Sequence, residues 1–227
     1  MKYEIIATGS TGNATVIDES ILIDCGVPFK KLEPYAKKLK LVLLTHYHGD
    51  HFNPATVSAL AKRRPALRWA CCHWMVPFLL AADVDKRCID VTLPDHAIVY
   101  HDFCAVNPVQ LYHNVSNCGW RVFKNGGKLL YATDTGKMEG IKAKDYDLYL
   151  VEANHRRDEI AERIFEKGIH GEYAYELQAA ENHLSYEQAM DWLAENMGPR
   201  SLWVPMHGHV DRGEKDAEKV LLAEAEG

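Results

Sequence analysis

The chain has 227 residues, 47% of them hydrophobic, and a formal net charge of −6, enough material for one substantial core and the wrong sign for a surface that clings to nucleic acid all over. No apolar run approaches the roughly 20 residues that cross a bilayer, and the opening MKYEIIATGSTGN is too polar for a secretory signal. A soluble cytoplasmic protein with no membrane partner is therefore expected, folded as a single domain over residues 1–227, with Cys25, Cys71, Cys72, Cys88, Cys104 and Cys118 reduced because none has CxxC spacing.

YEIIA, ATVID and ILID, separated by turn residues, read as a β-meander. FKKLEPYAKKL looks helical with an interruption at Pro34, and KLVLLT is apolar enough for a strand buried on both faces. NPATVSALAKRR predicts a helix with Asn53 as N-cap, Pro54 at the first helical position, and Val57, Leu60 and Ala61 on one face. HWMVPFLLAA predicts a second helix kinked near Pro77. From Asp90 to Ala132 the pattern returns to strands, AIVY, CAVNPVQLY, CGWRVF and KLLYAT, with KNGGK as a hairpin turn. DLYLVEA is a further strand, and residues 158–197 are helix-rich, with Ser185 and Gln188 forming a capping box. SLWVPM is a final strand ending at His207, and the tail from Glu214 reads as a closing helix. This alternation suggests two similar α/β halves packed sheet against sheet.

LLTHYHGDHFNPATV places His46, His48, Asp50 and His51 directly after the buried strand. Ligands collect beyond the carboxyl ends of strands in α/β folds, because there the sheet stops supplying backbone partners and loops can aim side chains into a crevice. His46 and His48 project to one side of an extended loop while Asp50 and His51 turn toward a neighbouring point, so two metal positions are the natural reading. Such polar groups beside a buried strand are costly unless paired or coordinated. His113 after VQLY, Asp134 after LLYAT and His207 after LWVPM repeat the placement, although each alone is an ordinary loop residue. Imidazole and carboxylate donors together suit zinc, with manganese or iron as alternatives.

THYHGDH resembles the signature of the metallo-β-lactamase fold superfamily, and His113, Asp134 in ATDTG, and His207 follow in the order that superfamily uses. The resemblance runs from GSTGN to MHGH and implies an α/β fold, an αββα four-layer sandwich with a dinuclear metal site on the sheet edge. It implies that His46, His48 and His113 hold one divalent ion, that Asp50, His51 and His207 hold the second, and that Asp134 bridges both. His48 stands where the flavodiiron oxidoreductases carry glutamate, which favours hydrolysis over redox chemistry. GSTGNAT, ATDTG, VEANH and NHLSYEQA are similar, in the same order, to motifs of the YycJ/WalJ-like branch, a group of proposed DNA exonucleases.

A metal-dependent phosphodiesterase or nuclease is the leading expectation, in which two divalent ions lower the pKa of a water toward neutrality and Asp50 and Asp134 serve as catalytic carboxylates. Glu152 is expected to orient a ligand histidine, and His155 or His183 to bind the phosphate or protonate the leaving oxygen. The alternative for these three is a hydrogen-bond network that fixes loops under the sheet edge. Arg156 and Arg157 are the basic residues beside the expected site, whereas Lys30, Lys31, Lys37, Lys38, Lys62, Arg63 and Arg64 read as a solvated face. Trp69, Trp74, Trp120, Trp192 and Trp203 sit in apolar runs and read as core rather than base-stacking residues. Two other readings stay open: a hydrolase of a small-molecule lactone, thioester or β-lactam, and a non-catalytic metal-binding scaffold. Oligomeric state is not determined by the sequence.

Overall fold

Short runs of β-branched and apolar residues form two sheets. The first contains β1 (Tyr3–Ala7), β2 (Ala14–Ile17), β3 (Ile21–Ile23), β4 (Leu41–Leu43), β5 (Arg68–Cys72) and β6 (Ile89–Thr92), adjacent in chain order. The second contains β7 (Ile98–Tyr100), β8 (Cys104–Leu111), β9 (Asn117–Lys124), β10 (Gly127–Ala132), β11 (Leu148–Glu152) and β12 (Leu202–Met206), also adjacent in chain order. The computed structural model describes residues 1–170 and 172–208, so the helix expected from Glu214 and the side chain of His209 lie outside the described residues.

Each sheet starts as an antiparallel meander and continues in parallel pairs: β3 with β4, β4 with β5 and β5 with β6 in one, β10 with β11 and β11 with β12 in the other. Parallel neighbours need crossover connections. In the first half these carry α1 (Phe29–Ala36), α2 (Pro54–Arg63) and α3 (Val76–Ala81); between β11 and β12 lie α4 (Arg157–His170), α5 (Glu176–Asn182) and α6 (Tyr186–Asn196).

The period of two along each strand sorts the side chains into layers. Leu41 and Leu43 of β4 pack with Trp120, Val122 and Tyr131 between the sheets, while Val42 and Leu44 pack with Leu32, Val57 and Leu60 under α1 and α2. Leu148 and Leu150 of β11 face that same inner layer, while Tyr149 and Val151 pack with Ala189 and Leu193 of α6. The result is the αββα four-layer sandwich that the sequence resemblance implies. The Trp120 indole also crosses between the sheets, its Nε1 donating to the Leu44 carbonyl at 3.2 Å, which satisfies its one polar atom in the core.

Local signals account for most element ends. Asn53 caps α2 by accepting from the Thr56 N–H at 3.1 Å, and Pro54 opens the helix where its missing N–H has no partner to lose. The hairpin between β9 and β10 turns on Asn125 and Gly126, with φ of 52° and 78°, as a tight turn with both central residues left-handed requires. Three details differ from the sequence reading. α1 runs through Pro34 instead of breaking there. HWM forms a separate 3₁₀ turn, so Pro77 lies in the first turn of α3, where a missing N–H is tolerated. Ile89–Thr92 adds a strand whose short, polar-interrupted sequence carries little periodic signal.

The basic residues expected on a solvated face include four that pair locally: Arg64 donates to the Ala36 carbonyl at 2.7 Å, Lys38 meets Glu19 at 2.9 Å, Arg63 meets Glu33 at 3.3 Å and Lys62 meets Asp83 at 3.5 Å. Trp69 and Trp120 are buried in the core. No helix among the described residues is long and apolar enough to cross a membrane.

The capping box of α6 is fully formed, with the Gln188 N–H donating to Ser185 Oγ at 3.1 Å and the Ser185 N–H donating to Gln188 Oε1 at 2.9 Å. Ser185→Ala is expected to lower stability by about 1 kcal/mol, measured as a drop in the urea midpoint at unchanged slope. A change below a few tenths of a kcal/mol would show that α6 is held by packing alone.

Candidate metal centre

The parallel strands of both sheets end at one rim, and the loops that leave them carry the side chains singled out in the sequence. His46, His48, Asp50 and His51 follow β4, His113 follows β8, Asp134 follows β10, Glu152 closes β11, and His207 follows β12. Three of these turns hold a non-glycine residue in the left-handed region: Asp24 after β3 (φ 61°), Asp134 (φ 60°) and His207 (φ 54°). Such conformations cost energy and persist where surrounding contacts over-determine them.

Among the described residues three groups of donor atoms lie within 4.8 Å of one another: His46, His48 and His113; Asp50, His51, Asp134 and His207; and Asp134, Glu152, His183 and His207. His155 is in none of them. Its ring Nδ1 lies 3.4 Å from Asn154 Oδ1, and its main chain bridges to Ser185, with the Tyr186 N–H donating to its carbonyl at 2.8 Å. Arg156 is exposed and stacks over the Tyr186 ring at 4.5 Å.

The protonation pattern follows from the partners each imidazole has. In the first group, Thr45 Oγ1 donates its proton to the buried Asp24 carboxylate at 3.0 Å, so it can only accept from His46 Nδ1 at 3.1 Å. That leaves His46 Nε2 as a bare lone pair. His113 Nδ1 faces the Asn182 carbonyl at 3.3 Å and must carry its proton, which leaves His113 Nε2 bare as well. Both lone pairs converge on His48 Nδ1, at 3.1 and 3.3 Å. One nitrogen can donate to only one of them, so the cluster has an excess of lone pairs that a cation would satisfy. Burial and the charge on neighbouring His51 hold His46 well below the usual imidazole range, and burial lowers His113 too, so both are neutral donors at pH 7.

Asp134 occupies the middle of the constellation. Its Oδ2 lies 2.8 Å from His51 Nε2, and its Oδ1 lies 3.4 Å from His207 Nε2, 3.8 Å from His183 Nδ1 and 3.9 Å from His113 Nε2. Burial alone would raise this carboxyl, but the His51 and His207 charges hold it well below the usual carboxylate range. Reciprocally, burial disfavours the His51 imidazolium, yet Asp134 on one side and Asp24 on the other raise it to about 10. A field that holds a proton between His51 and Asp134 also favours a divalent cation in its place. His207 is raised well above its ordinary value for the same reason, against burial, with Asp134, Asp50 and Glu152 around it. The residues present therefore fit divalent metal, with a nitrogen-rich donor set on one side, a mixed nitrogen and carboxylate set on the other, and Asp134 between.

Two supporting residues escaped the sequence reading. Asp24, fully buried, sits 2.7 Å from His51 Nδ1 and accepts from the Thr45 N–H at 3.0 Å, fixing which His51 nitrogen points into the site. The signal was a carboxylate directly after the strand ILI, the same placement as Asp134. Asn13 sits in the GSTGN turn: its Oδ1 accepts from the Gly9 N–H at 2.9 Å and its own N–H donates to the Asp50 carbonyl at 2.6 Å. It clamps the histidine loop from the other side.

Glu152 is fully buried and fully occupied. It accepts from the Thr135 and Leu184 N–H groups at 2.9 and 3.3 Å, lies 2.6 Å from His183 Nδ1, and reaches His207 Nδ1 at 3.4 Å. Burial would raise it, but the hydrogen bonds from His183 and His207 together with the His183 charge lower it. His183 in turn is raised by Glu152 against the burial penalty. These contacts tie Glu152 to both His183 and His207, and the His183 ring lies beside Asp134 at 3.8 Å.

Residues 19–207 match the family described as the beta-lactamase superfamily domain. A curated relative, exodeoxyribonuclease WalJ of Streptococcus pneumoniae, is 27% identical over 244 aligned positions that cover 93% of this chain and 82% of the relative. Among solved structures, the short form of human tRNase Z superposes with a TM-score of 0.67 at 16% identity, covering 92% of this chain and 93% of that one. Zn(2+)-bound PqqB from Methylobacterium extorquens superposes with a TM-score of 0.67 at 14% identity, covering 100% and 96%.

Proposed function

Since the chain belongs to the beta-lactamase superfamily, we propose that it is a metal-dependent phosphodiesterase acting on nucleic acid, with two divalent ions, zinc by donor type. In this reading His46, His48 and His113 hold one ion, Asp50, His51 and His207 the other, and Asp134 reaches both. The observation that carries it is the placement of the buried Asp134 carboxylate between His51 at 2.8 Å and His207 at 3.4 Å, beside three imidazole nitrogens that outnumber their protons. A nuclease is supported further by the WalJ relative, an exodeoxyribonuclease by name, and by tRNase Z sharing the fold.

When bound, such ions would supply an acidified water and neutralise charge on the phosphoryl oxygens. The chain's own residues do the rest. Asp24 and Glu152 hold His51 and His207 in one ring orientation. Asp50 and Asp134 supply the negative charge that offsets the cations. His183, whose hold on a proton Glu152 strengthens, lies beside Asp134, where it would give a proton to a departing alkoxide. His155 lies farther out and serves the substrate strand, with Arg156 and Arg157, by drawing phosphates toward the rim.

Purified protein is expected to carry about two zinc equivalents by elemental analysis and to cleave single- or double-stranded DNA or RNA. Metal content near zero after zinc loading, or hydrolysis confined to lactones, thioesters or β-lactams, would overturn the reading.

A further inference from the structure

Tyr47 lies between His46 and His48, and the alternation that turns those two rings inward turns the phenol outward. It is 40% exposed and stacks on Phe78 of α3, itself 37% exposed, with ring centroids 4.8 Å apart and planes within 11°. Two aromatic side chains at the surface, in face-to-face contact, are an uncommon use of large apolar area.

The pair is built rather than incidental. Phe78 rests edge-on against the buried Phe52 at 6.2 Å, one residue past the metal loop. The chain segment that leads into α3 is tied to the same loop by Trp74, whose Nε1 donates to the Thr45 carbonyl at 3.1 Å. The Tyr47 ring also meets His48 at 5.6 Å, with the two planes at 74°. A flat apolar surface thus begins one ring away from a candidate metal ligand and is held there by three separate contacts.

We propose that the Tyr47–Phe78 pair is a stacking platform for an unpaired nucleobase next to the phosphodiester that reaches the metal centre. The proposal rests on the phosphodiesterase reading above. A phosphodiester held at the donors carries a sugar and base on each side of it, and any base has a π-face that such rings accept without regard to sequence. A paired base is already stacked inside its duplex, so the platform selects single-stranded or frayed ends. It would therefore determine specificity while leaving the bond-breaking step to other residues.

The test uses zinc-loaded full-length protein and a short single-stranded DNA that contains 2-aminopurine and uncleavable phosphorothioate linkages. Stacking quenches the fluorophore. Wild-type and Tyr47→Phe protein are expected to quench it, while Tyr47→Ala and Phe78→Ala weaken binding by roughly 5- to 150-fold with metal content unchanged. An abasic strand is expected to bind wild type and both alanine variants alike. Equal quenching by wild type and both alanine variants, or none by wild type, overturns the platform. Capture of a protein instead of the strand, lost in the same variants, overturns it too. Because binding is read without turnover, quenching that depends on Tyr47 in a protein that cleaves no nucleic acid would retain the platform and reject the phosphodiesterase reading. Cleavage that ignores Tyr47 would do the reverse.

Discussion

Asp134→Ala is expected to lower kcat/KM on a nucleic-acid substrate by on the order of 10³-fold or more, the loss typical of a preorganised charge at the reacting centre, and to reduce bound zinc below two equivalents. The reason is position. Asp134 faces His51, His113, His183 and His207 at distances from 2.8 to 3.9 Å, so no other carboxylate can compensate for its charge at all four. Its neighbours are also tuned to it: Asp134 is the strongest influence raising both His51 and His207 against their burial. Removing it leaves buried imidazoles without their counter-charge, and a buried charge stripped of its partner is strongly destabilising. Asp134→Asn separates the two effects, because it preserves shape and some hydrogen bonding while removing the charge. Elemental analysis and single-turnover rates on both variants check this. Near-wild-type activity in Asp134→Asn would place the chemistry elsewhere.

Gly26→Ala should be nearly as damaging, although Gly26 contributes no functional group. A Cβ there would lie 1.6 Å from the Asp50 carbonyl oxygen, 2.1 Å from its carbon and 2.8 Å from the His51 nitrogen. These are backbone atoms with nowhere to rotate. The loop after β3 and the histidine loop are laced together by the Cys25 N–H to the His51 carbonyl at 2.9 Å and the Asn53 N–H to the Cys25 carbonyl at 3.0 Å, so the added methyl must lift Asp50 and His51 as a unit. Overpacking of this kind costs about 1–3 kcal/mol, and a shift of about 1 Å in a positioned group can cost on the order of 10²-fold in rate. The expected result is a lower Tm with loss of the ion assigned to Asp50, His51 and His207. Gly49→Ala, in the same loop with nothing within 4 Å of its Cβ, is expected to keep both. Equal behaviour of the two variants would show that the loops are not in contact in solution.

The sequence made the local half of this structure readable. Asn53 and Pro54 start a helix because one supplies an acceptor and the other lacks a donor, and Ser185 with Gln188 does the same by reciprocal bonds. The cluster from His46 to His51 is readable because so many polar groups after a buried strand need a reason to be there. Asp134, His113 and His207 become informative only in the order the family uses, since each by itself is a common loop residue. Asp24 and Asn13 were not legible. Asp24 depends on the parallel pairing of β3 with β4, and Asn13 on the antiparallel pairing of β2 with β3 as well, which together bring both beside the histidine loop, and no periodicity within a single segment reports a pairing between distant ones. Tyr47 was hidden differently: its neighbours drew attention inward, and its outward partner Phe78 lies on another element.

The donors are divided between two layers, with His46, His48, Asp50 and His51 carried by the first sheet and His113, Asp134 and His207 by the second. A slip of one sheet over the other by the width of a single atom would widen or narrow the gap between them, much as a caliper jaw does. The Trp120 indole, which reaches across to Leu44 only two residues before His46, acts as the rivet of that caliper. Because Trp120 is also fully buried, wear at this rivet would blunt the instrument and loosen its frame together.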